Sequence, residues 1–122
     1  SHMEIAEELK TQMINLIDDL LEILPNEKDI FTVRVLFDAM MSPTKLIEGF
    51  IEYVLPWKEY ITNRDETYFE KNDNIFGSLP AHKVQYFKTL YKNGVFGQEE
   101  KETIWQYFDV FVSLAETYKK QI

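Results

Sequence analysis

The run MSPTKLIEGFIEYVLP, residues 41–56, decides the fold class. Ser42 stands where a helix needs a side-chain acceptor for its unpaired first N–H groups. Pro43 follows at the first helical position, where its fixed φ fits and its missing donor costs nothing. Leu46, Ile47, Phe50, Ile51 and Val54 then recur at three- and four-residue steps, which is one stripe of a helix. Leu55-Pro56 breaks or kinks the chain, because proline removes a donor and restricts the residue before it. Gly49 costs about 1 kcal/mol against alanine in a helix interior; a close helix crossing would explain it, and so would drift.

The same rhythm extends upstream. Ile5, Leu9, Met13, Leu16, Ile17, Leu20 and Leu24 predict one amphipathic helix over residues 4–24, stopped by Pro25. Leu21 and Ile23 widen its stripe, so this helix meets more than one neighbour or a second chain. A homodimer through residues 4–24 is one expectation. Asn26 is placed to cap a second helix, with Asp29 near its positive end. Ile30, Val33, Leu36, Phe37, Met40 and Met41 carry its apolar period. Val33 and Val35 are β-branched and admit a short strand, but the spacing favours a helix.

Downstream, LPWKEYITNRDETYF (residues 55–69) crowds aromatic and charged side chains together. Read as one helix over 57–70, it places Trp57, Tyr60, Ile61, Arg64 and Tyr68 on a single face. Arg64 then lies in an apolar seam, where a guanidinium needs a carboxylate or a route to water. Asn72, Asp73, Asn74 and Gly77 mark a loop, with Ile75 and Phe76 turned inward. Ser78 and Pro80 precede a further helix whose stripe is Val84, Phe87, Leu90 and Tyr91, closed by Asn93-Gly94 in a left-handed cap. After Gly97, acidic residues suit the first turn of a last helix. Ile104, Trp105, Phe108, Val112, Ala115 and Tyr118 form its core face, flanked by Phe111 and Leu114. The expectation is an all-α chain: a compact bundle of five or six helices joined by short loops.

With 122 residues the chain suits one domain, residues 4–122, after a Ser1-His2-Met3 remnant of a cleaved purification tag that is left out of the fold reading. Nine Phe, seven Tyr and two Trp suffice for a real core. The absence of cysteine excludes disulfides, thiolate zinc sites and cysteine nucleophiles. No apolar run reaches the roughly 18 residues of a membrane span. An intracellular home, in cytoplasm or nucleus, is the expectation. Thirteen basic residues against 21 acidic give a net charge of −8, which disfavours direct nucleic-acid binding and favours a basic protein partner.

Catalytic machinery is sparse. His82 is the one histidine outside the tag remnant, and it sits at a helix start beside Lys83. Nucleophilic catalysis needs a nucleophile, a base and an orienting group, and no serine has that setting. Asp65, Glu66, Glu70 and Asp73 form an acidic run without the glycine and terminal glutamate of a calcium loop. The glycines at 49, 77, 94 and 97 do not build a phosphate loop. No cofactor is expected.

The order FDAMMSPTKLIEGFIEYVLPWKEYITNRDETYF, then a gap, then IWQYFDVFVSLAE resembles short helical proteins of large nucleocytoplasmic DNA viruses. The likeness spans roughly residues 30–116 and is a pattern of apolar and aromatic positions with an aspartate before paired aromatics; the positions it carries are Asp65, Phe69, Trp105 and Tyr107. It implies a viral, intracellular, non-enzymatic helical protein.

The reading that follows is a non-enzymatic protein–protein interaction module or adaptor, with an aromatic and leucine surface inside an acidic rim. Trp57, Tyr60, Arg64, Asp65 and Phe69 are the candidate partner-binding residues, since aromatic and arginine side chains dominate interface hot spots; the competing reading makes these aromatics core, with Arg64 reaching water along its stem. Two alternatives are a small enzyme using carboxylates or a divalent metal, and an accessory factor of viral transcription or replication acting through protein contacts.

Overall fold

The structure, a computed structural model, describes residues 1–73 and 80–121. Seven α-helices occupy them, and no strand is present among the described residues: α1 (His2–Ile23), α2 (Lys28–Met40), α3 (Pro43–Tyr53), α4 (Lys58–Thr62), α5 (Glu66–Lys71), α6 (Ala81–Lys92) and α7 (Gln98–Lys120). The all-α expectation holds. The count exceeds five or six because residues 57–70 are two short helices rather than one. A 3-10 turn over Leu55–Trp57 precedes them, where Pro56 interrupts the α pattern.

The helix starts follow local chemistry. The Ser42 hydroxyl accepts the Lys45 N–H at 3.2 Å, with Pro43 at the first helical position. Gly97 donates its N–H to Glu100 Oε1 at 2.7 Å, and Glu99 and Glu100 supply negative charge at the α7 N-terminus. Gly94 closes the α6 end with φ +88°, the left-handed geometry that glycine adopts without a Cβ clash. Asn26 does not cap α2; Glu27 occupies that position and makes no side-chain cap bond. Gly49 is not explained by a close crossing, since a Cβ there would meet nothing within 4 Å. The expectations for Ile75, Phe76, Gly77 and Ser78 lie outside the described residues.

Helices α1, α3 and α7 hold the core, joined by α4 through Ile61. Ala6, Leu9, Ile47, Phe50, Ile61, Phe111, Val112, Ala115 and Tyr118 form one buried cluster. Phe111, expected only to flank the core, lies in it with edge-on contacts to Phe50 and Phe108. Helix α1 packs against α2, α3 and α7 at once. Its wide apolar stripe is therefore occupied within the chain, and the width that suggested a second copy along residues 4–24 has an internal cause. Ser1 caps this helix and the His2 ring stacks on Tyr118 at 3.5 Å, so residues set aside as a tag remnant continue α1.

Helix α2 is held by α1 and polar ties. Lys10 donates to the backbone oxygens of Asp38 and Met41, both at 3.0 Å, and Arg34 meets Asp18 at 2.6 Å. Helix α6 buries only Val84 among its side chains. It is linked to the start of α2 by Lys83–Asp29 at 3.2 Å and by the Tyr86 hydroxyl on Glu27. No helix of the described residues is long and apolar enough to cross a membrane.

Candidate interaction surfaces

The stretch 57–69 separates into three environments, and the backbone shows why. Helix α4 ends in a Schellman motif: the Asp65 N–H donates to the Tyr60 carbonyl at 2.9 Å and the Arg64 N–H to the Ile61 carbonyl at 3.1 Å. The left-handed position falls on Arg64, with φ +50°, where most helices place glycine. An L-residue carries a cost of roughly 1–2 kcal/mol in that geometry. Arg64 is held there by both ends of its side chain. Its guanidinium donates to Glu102 at 2.9 Å, to Asp109 at 2.8 and 2.9 Å, and to the Ile61 carbonyl at 3.1 Å. The hydrogen bonds to Asp109 and Glu102 push the guanidinium above its ordinary range and keep it charged. The arginine expected in an apolar seam thus finds its carboxylates on α7, at the edge of the bundle.

Asp65 restarts the chain as a helix. Its carboxylate accepts the Tyr68 N–H at 2.9 Å, capping α5. Because the chain reverses between Tyr60 and Tyr68, their rings stack at 3.6 Å and 8°. Trp57 leans on Tyr68 at 5.6 Å. Burial and then the neighbouring Tyr60 push the Tyr68 phenol up. Phe69 points elsewhere and packs on Trp105 at 5.6 Å. Of the five candidate residues, Trp57 and Tyr60 share a cluster with Tyr68, Arg64 and Asp65 hold the turn together, and Phe69 belongs to an inner wall. The signal for this division was the Asn63-Arg64-Asp65 sequence, with a helix-stopping asparagine two residues before an N-cap aspartate.

That inner wall borders an apolar cleft of about 250 Å³ between α5, α6 and α7. Ile61, Phe69, Phe87, Trp105 and Phe108 line it. The Trp105 indole N–H is satisfied by the Tyr91 hydroxyl at 3.1 Å, and burial pushes the Tyr91 phenol up to about 12. At its edges Lys92 pairs with Glu70, and Lys88 with Asp73. The Lys92 hydrogen bond holds Glu70 below the usual carboxylate range. Three members of the acidic run thus have structural partners: Asp65 in its cap, Glu70 and Asp73 on lysines. No group of three or more His, Asp or Glu side chains able to hold a metal occurs among the described residues. His82 is exposed on the first turn of α6.

The least satisfied surface is on α2, where the sequence reading placed no site. Ile30, Val33 and Phe37 face inward. Leu36 and Met40, expected to continue that inner stripe, face outward instead, because α1 covers only one side of the helix. Phe31 is 58%, Val35 46%, Leu36 42% and Met40 75% exposed, and Ala39 is exposed among them. Thr32 is the one polar residue between these side chains, with Lys28 at the N-terminal end and Asp38 on the edge. A helix apolar on both sides is ordinarily a buried helix. Contiguous exposed apolar surface of this kind marks interaction sites.

Comparison of the chain with models of known protein families, with curated proteins and with solved structures finds no match.

Proposed function

We propose that this chain is a non-enzymatic helical docking module that binds another protein through the outward face of α2. The observation that carries the reading is the helix's two-sided apolar character: an inner row on α1, and an outer row of Phe31, Val35, Leu36, Ala39 and Met40 left in solvent. Fully burying a large apolar side chain contributes about 1.5–3 kcal/mol. Four such residues together contribute enough to offset part of the roughly 4–15 kcal/mol that association costs. Weak, reversible docking is the expected regime. The carboxylates nearest α2 already have cationic partners, Asp18 and Asp38 on Arg34 and Asp29 on Lys83, so the attraction of this face is chiefly apolar.

The 57–69 stretch is the less favoured surface. Arg64 and Asp65 already have partners within the chain, and Phe69 packs on Trp105. Catalysis is disfavoured by the lone exposed His82 and by the lysine pairs that occupy Glu70 and Asp73. The viral resemblance bears only on where a partner is found. An accessory role in viral transcription or replication through protein contacts is the same mechanism with a different partner.

The test compares the wild-type chain with Val35→Glu as bait in extracts of the native host. Proteins retained by the first and lost by the second, at equal melting temperature, support the reading. Identical retention by both would place docking elsewhere, and reproducible turnover of any substrate by the pure chain would replace the reading with an enzymatic one.

A further inference from the structure

We infer that the cleft between α5, α6 and α7 is a binding site for an uncharged bicyclic aromatic molecule. The site lies away from the outward side of α2 and is independent of the docking reading.

Size comes first. The cleft holds about 250 Å³. Native interiors contain few gaps larger than a water molecule, because the atoms that line a gap forfeit contacts. An apolar cavity of about 150 Å³ accommodates one benzene ring. The larger volume here suits two fused rings.

The walls decide the chemistry. Among the described residues they are Ile61, Phe69, Phe87, Ile104, Trp105 and Phe108. Phe69 and Trp105 are tilted at 42° rather than stacked, with centroids 5.6 Å apart. Tilted rings offer both faces and edges, the two surfaces on which a further aromatic ring packs. Water is a poor occupant, since it needs several polar partners. The indole N–H of Trp105 is already taken by the Tyr91 hydroxyl at 3.1 Å.

The rim disfavours a charged ligand. Lys92 pairs with Glu70, and Lys88 pairs with Asp73 and donates to the Glu70 carbonyl at 2.9 Å. A ligand anion would compete with these carboxylates for the lysines, and a ligand cation with the lysines for the carboxylates. Either charge gains little at the rim and loses hydration among the rings. The same pairs fasten α6, which buries only Val84 among its own side chains. That helix is therefore the wall that yields when a ligand enters.

The probe is 2-naphthol, uncharged at neutral pH, titrated to millimolar concentration into the isotope-labelled full chain. The protein carries its own control: Trp105 lines the cleft, whereas Trp57 leans on Tyr68 outside it. Saturable shifts of the Trp105 indole N–H and the Ile104 methyls are expected, with the Trp57 indole unmoved and a Kd on the order of 0.1 mM. The anion 2-naphthoate should bind roughly tenfold more weakly, or worse. Ile104→Phe adds a ring to the cleft and should weaken 2-naphthol binding about tenfold while the melting temperature holds or rises. Phe87→Leu removes one ring and should weaken binding roughly two- to tenfold. The absence of a saturable shift, equal shifts of both indoles, or full affinity in Ile104→Phe would overturn the site. Should Ile104→Phe fail to fold, unchanged affinity in Phe87→Leu overturns it instead. Naphthoate bound as tightly as naphthol would overturn the uncharged class.

Discussion

Helices α1 and α2 are neighbours and both carry wide apolar rows, yet they end in opposite situations. The rows of α1 are covered by three helices, α2, α3 and α7. Those of α2 are covered on one side only, leaving Phe31 and Met40 more exposed than buried. The difference is one of position in the bundle rather than of composition. A central helix needs apolar residues around most of its circumference to hold its own chain together. A peripheral helix with the same breadth has surface to spare, and that surplus is what points to a partner.

Substitutions should separate the two regions. The largest effects are expected in the core: Leu9→Ala or Ile47→Ala, both at fully buried positions, should cost about 2–5 kcal/mol in urea unfolding. A loss below 1 kcal/mol would mean that the α1–α3–α7 core is looser than its burial implies. Next comes the Arg64 turn. Arg64→Ala removes the bridges to Glu102 and Asp109 and should cost about 1–2 kcal/mol, discounted for its partly solvated side chain. Arg64→Gly loses the same bridges but relieves the left-handed strain, so it should be milder than Arg64→Ala by roughly 1 kcal/mol. Equal losses would show that the turn carries no strain.

Capping comes third: Ser42→Ala and Asp65→Ala should each cost about 1 kcal/mol. A smaller change is expected in alkali. The Tyr107 phenol is pushed up to about 12, first by burial and then by its hydrogen bond to Asp19. In the unfolded chain it ionises near the ordinary value of about 10. The unfolded state therefore loses its proton first, and stability falls as pH rises from about 10 toward 12. Tyr107→Phe should be less stable at neutral pH but show a shallower alkaline decline; an unchanged slope would remove Tyr107 from the account. Smallest of all, Val35→Ser should alter monomer stability by no more than about 0.5 kcal/mol. A core-sized loss there would erase the contrast between α1 and α2.

The all-α class and most of the core were legible because helical periodicity, Ser42-Pro43 and Asn93-Gly94 act locally. Leu46, Ile47 and Phe50 are buried as their spacing predicts, and Ser42 caps as its position predicts. The break after Thr62 was harder to read, since it rests on an arginine in a glycine's position, held by carboxylates 38 and 45 residues away in sequence. The α2 surface was hidden for a different reason. Phe31, Val35, Leu36 and Met40 have the composition of a core row, and periodicity shows which residues share a face without showing whether another helix covers it. Tyr60 and Tyr68 meet only because the turn at Arg64 reverses the chain, so a single straight helix gave the right aromatic grouping for the wrong geometric reason.

The central claim is that the outward side of α2 is the surface that meets a partner. Methyl resonances recorded while a synthetic helical peptide of leucine and lysine is titrated into the pure chain test it most directly. The account predicts concentration-dependent shifts at Val35, Leu36 and Met40, with Ile47, Ile61 and Val84 unmoved. Shifts confined to other faces of the bundle, or spread evenly over core and surface alike, would contradict it.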